Sequence, residues 1–508
     1  MRVWLALLAG CVCTPGLLWA QFFPELQWHR FYGGVGEDRP ARLRLAPDST
    51  LLLVGTTTPD EGCLQGYVLR VDTRQKGTPV WTRTLGAPDG CSELRDAILS
   101  NDQESILYAG TTGQGLRHDE SQHGIYAQDY WVGRLDLAGT PDWNKTFGGS
   151  KPDQCVAIAP TTFGGFVLNG GAWSQDHDLS TACASLNNLW VVTLSKFAQH
   201  LRSLCLGGSK NDWGVDVAAT QDDGHLLLGY TTSEDLDGSR SRANGDAWLL
   251  KLNAAGEVEW QRVLKEPYED VLNRVVQTKY GMYAAVGSSF DAKQAKQFWF
   301  VKFDQTGRLL ADKKWGSKGF EELTGVYPTW DGGFICTGWS YYYTLDNPYV
   351  KGQRDLWVVR LDPEGNLIWQ QTYGGPDNEE GVDVVEASRG LYYVLGKKHN
   401  TFAPDGKPRG DDFWLLKVRE RPCADMQVLA ESSHKKSKLA PGEVIRFVNK
   451  SQHIDRWKWD FGDGTTSTEH SPIKKYDAPG VYVVRLTGYA NEGCQKTYLY
   501  PSPITVKE

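Results

Sequence analysis

The amino-acid sequence predicts an all-β chain whose residues 21–420 form a ring of four-stranded repeats, on three observations. A segment close to D-x-W-(V/L)-(V/L)-(K/R)-(L/V) recurs at Asp129-Tyr130-Trp131, Asn188-Leu189-Trp190, Asp246-Ala247-Trp248, Gln297-Phe298-Trp299, Asp355-Leu356-Trp357 and Asp412-Phe413-Trp414, with a degenerate first copy at Gly66-Tyr67-Val68. Most copies lead into W-x-x-x-(aromatic or Leu)-G-G, clearest at Trp28 to Gly34, Trp143 to Gly149 and Trp369 to Gly375. Between them lies G-(G/D)-apolar-x-x-x-G, as in Gly164 to Gly170 and Gly332 to Gly338. A period of about fifty to sixty residues is the signature of a solenoid, array or propeller, and has to be read before any local pattern.

Each mark flanks four to eight residues rich in Val, Leu, Ile, Tyr and Trp, punctuated by Gly, Asp and Asn, the pattern of short strands and tight turns. One repeat therefore holds four strands. Strands bury both faces without long open edges when such sheets are set radially around a channel, so seven copies predict a seven-bladed β-propeller. The chain opens on a fourth-strand segment, Trp28 to Tyr32, and its last repeat stops at a third strand, Trp414 to Val418. The N-terminal strand is thus expected to complete the last blade. The tryptophan of D-x-W, at one register in six repeats, reads as blade-to-blade packing.

Composition agrees. Among 508 residues there are 55 Gly, 20 Trp and only 3 Met, with no sustained helical periodicity. A formal charge of −8 and the lack of a basic stripe exclude a nucleic-acid partner. Residues 1–20 read as a secretory signal, one Arg followed by an apolar run and a small residue before Gln21. Leu8-Ala9-Gly10-Cys11 matches a lipobox, but the apolar run continues to Trp19, which favours cleavage at Gln21 over lipidation. Beyond the signal no segment reaches the length of a transmembrane helix.

Eight cysteines follow the signal, consistent with an oxidising compartment. Cys91 and Cys155 stand just after the G-G turns of adjacent repeats, and Cys63 and Cys183 share the loop before the Trp strand. The expected bridges are Cys63–Cys91 and Cys155–Cys183, with Cys423–Cys494 tying the ends of a C-terminal module. Cys205 and Cys336 lie inside strands and are expected to be buried thiols.

These repeats resemble the seven-bladed propeller repeats of secreted and surface proteins of bacteria, Bacteroidota especially, over residues 21–420. Their turn-plus-Trp segments also resemble quinoprotein repeats, whose cofactor would require calcium-binding carboxylates and usually a vicinal cysteine pair. No Cys-Cys occurs after the signal. From residue 421 to 508 the pattern changes. Trp457-Lys458-Trp459-Asp460-Phe461-Gly462-Asp463-Gly464, Ser471-Pro472, Tyr476 and Gly480-Val481-Tyr482 resemble the PKD domain, an immunoglobulin-like β-sandwich. That resemblance implies a spacer or binding module and assigns Asp460 and Asp463 to a turn.

No sialidase-type Asp box, nucleophile elbow or H-E-x-x-H occurs, and the ten His are scattered. The chain is therefore expected to bind and not to catalyse. Asp176-x-Asp178 and Asp235-x-Asp237, in equivalent loops of adjacent repeats, are the candidate metal ligands, and alternating oxygens suit calcium. No other cofactor is expected. The candidate binding residues are aromatic: Trp339, Tyr341, Tyr342 and Tyr343 leave the strand ending at Gly338, and Trp173 and Tyr230 leave the same strand in earlier repeats. Rings with nearby Asp and Asn suit a glycan or a protein surface. The sequence thus predicts an extracytoplasmic binding or scaffold protein, secreted or at the cell surface or outer membrane, with a periplasmic site compatible. Its partner is an envelope protein or a polysaccharide. A propeller-type polysaccharide hydrolase or lyase, and a structural subunit of an outer-membrane assembly, are the alternatives.

Overall fold

A computed structural model describes residues 22–34, 36–59, 63–86, 90–113, 128–179, 186–236, 245–265, 268–291, 295–316, 319–341, 354–399, 410–433, 438–490, 494–501 and 503–507. Contacts divide the chain into two units, residues 26–419, and residues 420–508 with the segment ending at Glu25.

The larger unit is a succession of antiparallel four-stranded groups. Strand β1 (Phe22–Tyr32) comes first. It is followed by β2–β5 (Asp38–Leu45, Thr50–Thr57, Gln65–Asp72, Thr78–Leu85), β6–β9 (Ser92–Leu99, Ser105–Gly113, Gln128–Asp136, Pro141–Phe147) and β10–β13 (Asp153–Pro160, Phe166–Ala172, Asn188–Leu194, His200–Leu206). Then come β14–β17 (Asp212–Ala219, His225–Thr231, Asp246–Leu252, Val258–Leu264), β18–β21 (Asp270–Gln277, Tyr283–Phe290, Lys296–Phe303, Leu309–Trp315) and β22–β25 (Phe320–Pro328, Phe334–Tyr341, Asp355–Leu361, Leu367–Tyr373). The last group is β26–β28 (Glu379–Ser388, Leu391–His399, Asp411–Pro422), and its sheet order is β1-β28-β27-β26. A single parallel pair, Lys296 with Phe320, joins the β18 and β22 groups into one larger sheet. The first strand of each group packs on that of the next, and β26 packs back on β2.

The recurrent marks explain this geometry. The D-x-W tryptophans are buried, Trp131, Trp190, Trp248 and Trp299 at 1% exposure or less, in cores shared between neighbouring sheets. In the G-G turns the second glycine's N–H donates to the carboxylate that opens the next strand: Gly34 to Asp38 at 2.8 Å, Gly149 to Asp153 at 2.9 Å, Gly208 to Asp212 at 2.7 Å and Gly375 to Glu379 at 2.9 Å. A Cβ on the first glycine, at Gly33, Gly148 or Gly374, would collide with the D-x-W carboxylate of Asp412, Asp129 or Asp355. Outer-strand tryptophans reach across to the next hairpin, Trp81 Nε1 donating to Leu137 O at 3.0 Å and Trp260 Nε1 to Gln305 O at 2.9 Å. Each ring lies over a turn glycine with positive φ, Gly139 or Gly307, where a side chain has neither the space nor the backbone freedom.

Every first strand carries a register shift after its third residue or close to it, which aims the next residue inward. Those residues include Arg42, Asp96, Asp216, Arg274 and Asp383. Arg42 Nε lies 3.2 Å from Asp96, its Nη2 pairs with Asp216, and Arg44 Nη2 reaches Asp96 at 2.8 Å. The carboxylates also accept backbone N–H groups, Leu43 to Asp383 at 3.0 Å and Val275 to Asp216 at 2.9 Å, so these buried charges are paired and hydrogen-bonded. Burial outweighs Arg42 and pushes the Asp216 and Asp383 carboxyls above their ordinary range.

Cys63 and Cys91 form a disulfide, Cα atoms 5.2 Å apart, beside the Ser92 N–H to Leu64 O bond that brings the two loops together. The expected Cys155–Cys183 bridge is corrected. Cys155 is a free thiol inside β10, fully buried between sheets, its Sγ 3.8 Å from Ala157 O, and burial raises its pKa. Cys183 lies outside the described residues. Cys205, expected to be a free thiol, is disulfide-bonded. It stands on the outer strand β13, whose side chains are partly exposed, whereas Cys155 stands on an inner strand. Cys336 is a buried free thiol.

The smaller unit contains β29–β31 (Ala430–Ser432, Lys438–Leu439, Val444–Asn449), β32–β34 (Arg456–Asp460, Thr466–Ser467, Ile473–Lys475) and β35–β38 (Gly480–Tyr482, Arg485–Tyr489, Gln495–Leu499, Ile504–Val506). Its sheets enclose Trp459, Phe447, Tyr476 and Leu486. Asp460 and Asp463 shape the turn. Gly462 N–H donates to Asp460 at 2.9 Å, Thr465 Oγ1 to Asp463 at 2.6 Å, and Lys474 Nζ pairs with Asp463 at 2.5 Å. Cys423 and Cys494 form a disulfide, Cα atoms 5.6 Å apart. Glu25 binds Arg421 at 2.5 Å and His453 at 2.8 Å, and these partners overcome burial to hold its carboxyl below the ordinary range.

Candidate functional site

On the edge where second strands end and first strands begin, the larger unit opens into a cavity of about 910 Å³. Its lining comes from three consecutive groups: Phe320, Trp339, Tyr341 and Arg354; then Asn378, Glu380, Lys397, His399, Gly410 and Asp411; then Glu37. Register explains the convergence. Glu322 pairs with Trp339 and Glu380 with Lys397, the equivalent cross-strand pair in adjacent groups, while His399 pairs with Asp411 one step further out. Gly410 is required because a Cβ there would meet the Glu37 backbone.

Trp339 is 9% exposed. The Arg354 guanidinium lies 4.4 Å from its ring centroid and Lys296 Nζ 5.5 Å away, a cation–π arrangement that occupies the ring. Tyr341 and Phe320 form an open pair, 37% and 43% exposed, with centroids 6.4 Å apart. The polar wall is a chain of ion pairs. Arg354 Nη1 binds Glu380 Oε1, Lys397 Nζ lies 3.3 Å from Glu380 and 3.2 Å from Asp411, and His399 Nδ1 lies 2.9 Å from Asp411 Oδ1. Burial alone would lower the Lys397 ammonium; Glu380 and Asp411 outweigh it and hold it above its ordinary value.

Trp173, 41% exposed, borders a separate cavity of about 230 Å³ with Pro152, Gln154, Asn187 and Trp213. Tyr230 is buried, its ring 4.5 Å from that of Trp213 and its hydroxyl 3.1 Å from Glu269. The structure thus brings Trp339 and Tyr341 together, sets Trp173 apart and withdraws Tyr230 from solvent. Tyr342 and Tyr343 lie outside the described residues. Asp176 accepts from Ser150 N–H at 2.8 Å, Asp178 from Gly148 N–H at 3.1 Å, and Asp235 from Ser209 N–H and Oγ at 2.9 and 3.0 Å. Their oxygens brace G-G turns, and Asp237 lies outside the described residues. Among the described residues no group of three or more His, Cys, Asp or Glu is placed to hold a metal.

Sequence reasoning missed Phe320, Arg354, Glu380, Lys397, His399 and Asp411. A signal for them exists. At the register of Trp339 and Lys397 the other second strands carry Thr56, Thr111, Gly171, Tyr230 and Ser288, mostly small residues that leave the edge bare.

The PKD domain family model matches residues 429–502, and the C-terminal module is similar to that domain. No curated protein matches the chain in sequence. Solved structures with similar folds include the Neurospora crassa Pan2 WD40 domain, 10% identical over 78% of this chain and 95% of that one, with a TM-score of 0.44. A fungal alcohol oxidase of the AA5 family in complex with copper is 14% identical over 95% and 100%, with a TM-score of 0.42. The PQQ-bound aldose sugar dehydrogenase of Streptomyces coelicolor is 14% identical over 79% and 99%, with a TM-score of 0.32.

Oxidases and dehydrogenases of low identity stand among these neighbours beside a WD40 domain. The expectation that the chain is not an enzyme is withdrawn. It rested on missing linear motifs, whereas the cavity gathers Glu37, Glu380, Lys397, His399 and Asp411 from different strands and loops. The C-terminal module is similar to the PKD domain, and the disulfides fit an extracytoplasmic protein. No helix among the described residues is long and apolar enough to cross a membrane.

Proposed function

We propose that this chain is an extracytoplasmic binding protein of the cell envelope. Residues 1–20 would be its signal peptide, residues 21–420 a seven-bladed propeller closed by β1, and residues 421–508 a PKD module acting as spacer or accessory binding unit. The propeller holds its partner in the cavity at Trp339 and Tyr341. One observation carries the reading: along an edge that elsewhere bears Thr, Gly, Ser or the buried Tyr230, two adjacent second strands bring Trp339 and Lys397 to the wall of one cavity of about 910 Å³. That volume lies within the range of about 300–1,000 Å³ common to ligand sites. Trp173, the other exposed ring among the aromatic candidates, borders a space of about 230 Å³, below that range.

The test is a photo-crosslinking residue at position 341 of the full chain in its native cells, with the same residue at Phe163, 81% exposed on a turn, as control. A product formed from 341 and not from 163 is expected. Equal labelling from both positions, or none, would overturn the assignment.

A second reading, a polysaccharide hydrolase or lyase using the same cavity, is favoured by His399. Its Nδ1 is held by Asp411 beside Glu380, the support that a general base requires. Product formation from a polysaccharide, lost in His399→Ala and Asp411→Asn, would establish it.

A further inference from the structure

The charges of the cavity restrict what it can hold, and this step rests on the cavity being the binding site. Each ionised group in the wall already has an opposite partner. Arg354 and Lys397 share Glu380, Lys397 also meets Asp411, and Glu37 is bound by Arg39 at 3.0 and 3.1 Å. Three cations therefore answer three carboxylates. With these charges balanced, an ionic ligand finds no net attraction in the wall to offset the hydration it loses on entering. A neutral ligand carrying many hydroxyls has no such cost. Hydroxyl groups donate to the carboxylate lone pairs and accept from the guanidinium and ammonium N–H groups that the ion pairs leave over, and bonds to charged groups are the stronger kind.

The apolar part of the lining points the same way. Trp339 is covered by Arg354, so the free ring surface is the pair Tyr341 and Phe320, beside the polar wall and not ringed by aliphatic side chains. A ring face next to a row of alternating donors and acceptors matches a sugar, whose axial C–H face is apolar and whose rim is hydroxylated. We infer that the cavity binds a segment of a neutral polysaccharide, stacked on Tyr341 and Phe320 and hydrogen-bonded to Glu380, Lys397 and Asp411.

The experiment is calorimetric titration of the full chain with neutral oligosaccharides (β-1,4-glucan, β-1,3-glucan and β-1,4-mannan hexasaccharides) and with uronate oligosaccharides from alginate and polygalacturonate. Saturable binding of a neutral sugar is expected, unchanged between about 50 and about 500 mM salt, because no net charge is screened. Tyr341→Ala and Phe320→Ala should each weaken it about tenfold, while Tyr341→Phe, which keeps the ring, retains most of it. Thermal unfolding of these exposed-site variants should match the parent. Binding of uronates only, or of no sugar while position 341 still crosslinks to a protein, would overturn the neutral-glycan inference and leave the cavity assignment standing. Sugar binding untouched by either alanine variant, together with no crosslink from 341, would overturn both.

Discussion

Two cavities of the repeated body are built at the same register, and one is a quarter the size of the other, about 230 against about 910 Å³. Gly171, Trp173, Asn187 and Trp213 stand in the smaller where Trp339, Tyr341, Arg354 and Glu380 stand in the larger. Around the smaller space Trp213 leans on Tyr230 and fills the gap between sheets. In the larger, a carboxylate takes the place of that indole, and the volume it vacates is walled by ion pairs. The scaffold is common to both; four substitutions on it turn a packed seam into an open, polar site. In this repeated body the larger cavity opens where register positions depart from the residues their counterparts carry.

The comparison can be broken most forcefully at the shared scaffold. Truncating a D-x-W tryptophan should cost about 3–5 kcal/mol wherever it is made, because each fills a core between sheets. Trp190→Ala, next to the small cavity, and Trp357→Ala, next to the large one, are expected to lose similar stability in urea unfolding. A markedly smaller loss at Trp357, 7% exposed, would mean the two seams are not equivalent frames.

A second effect separates them. Glu380 and Gln154 occupy one register, and each reaches back to the preceding group, Glu380 to Arg354 and Gln154 Nε2 to Gln128 at 2.7 Å. Glu380→Ala strands Arg354 and Lys397 and should destabilise by about 1–2 kcal/mol, less than a fully buried pair because Arg354 is 44% exposed. Gln154→Ala, at an exposed position, should change stability by less than about 0.5 kcal/mol. Equal losses would indicate that the Glu380 pairs contribute nothing beyond a surface contact.

The third effect depends on pH. Lys397 is held above its ordinary value, so its contribution to stability is complete below the unfolded-state pKa of about 10.4 and fades as pH rises through the folded value. The stability difference between the parent and Lys397→Met should therefore be flat from neutral pH to about pH 10 and shrink above it. Among the described residues no comparable group lines the Trp173 cavity, so Gln154→Ala should show no alkaline dependence. A Lys397 difference that is constant to high alkaline pH would contradict the pairing.

The same contrast shows what the sequence could reveal. Strand number, turn positions and the packing role of Trp131 or Trp248 were legible because the same constraint is repeated at one spacing, and repetition makes a local requirement visible. Trp339 and Tyr341 stood out as aromatic residues leaving a strand. Their partners did not. Arg354, Glu380 and Asp411 are ordinary charged residues separated by about thirty positions each, joined only when adjacent sheets pack. Cys63–Cys91 and Cys423–Cys494 were legible, but Cys155–Cys183 was not: spacing placed Cys155 beside a turn, whereas strand register turns its side chain into the core, and the outer-strand Cys205 is disulfide-bonded.

In the function proposed for this chain the large cavity, and not its smaller counterpart, holds the partner. The most direct measurement is capture of the native partner by the full chain bearing either Tyr341→Ala or Trp173→Ala, two truncations of exposed rings at one register, scored against the parent. Loss of capture in Tyr341→Ala with parental capture in Trp173→Ala is the predicted result; the reverse pattern would contradict the claim.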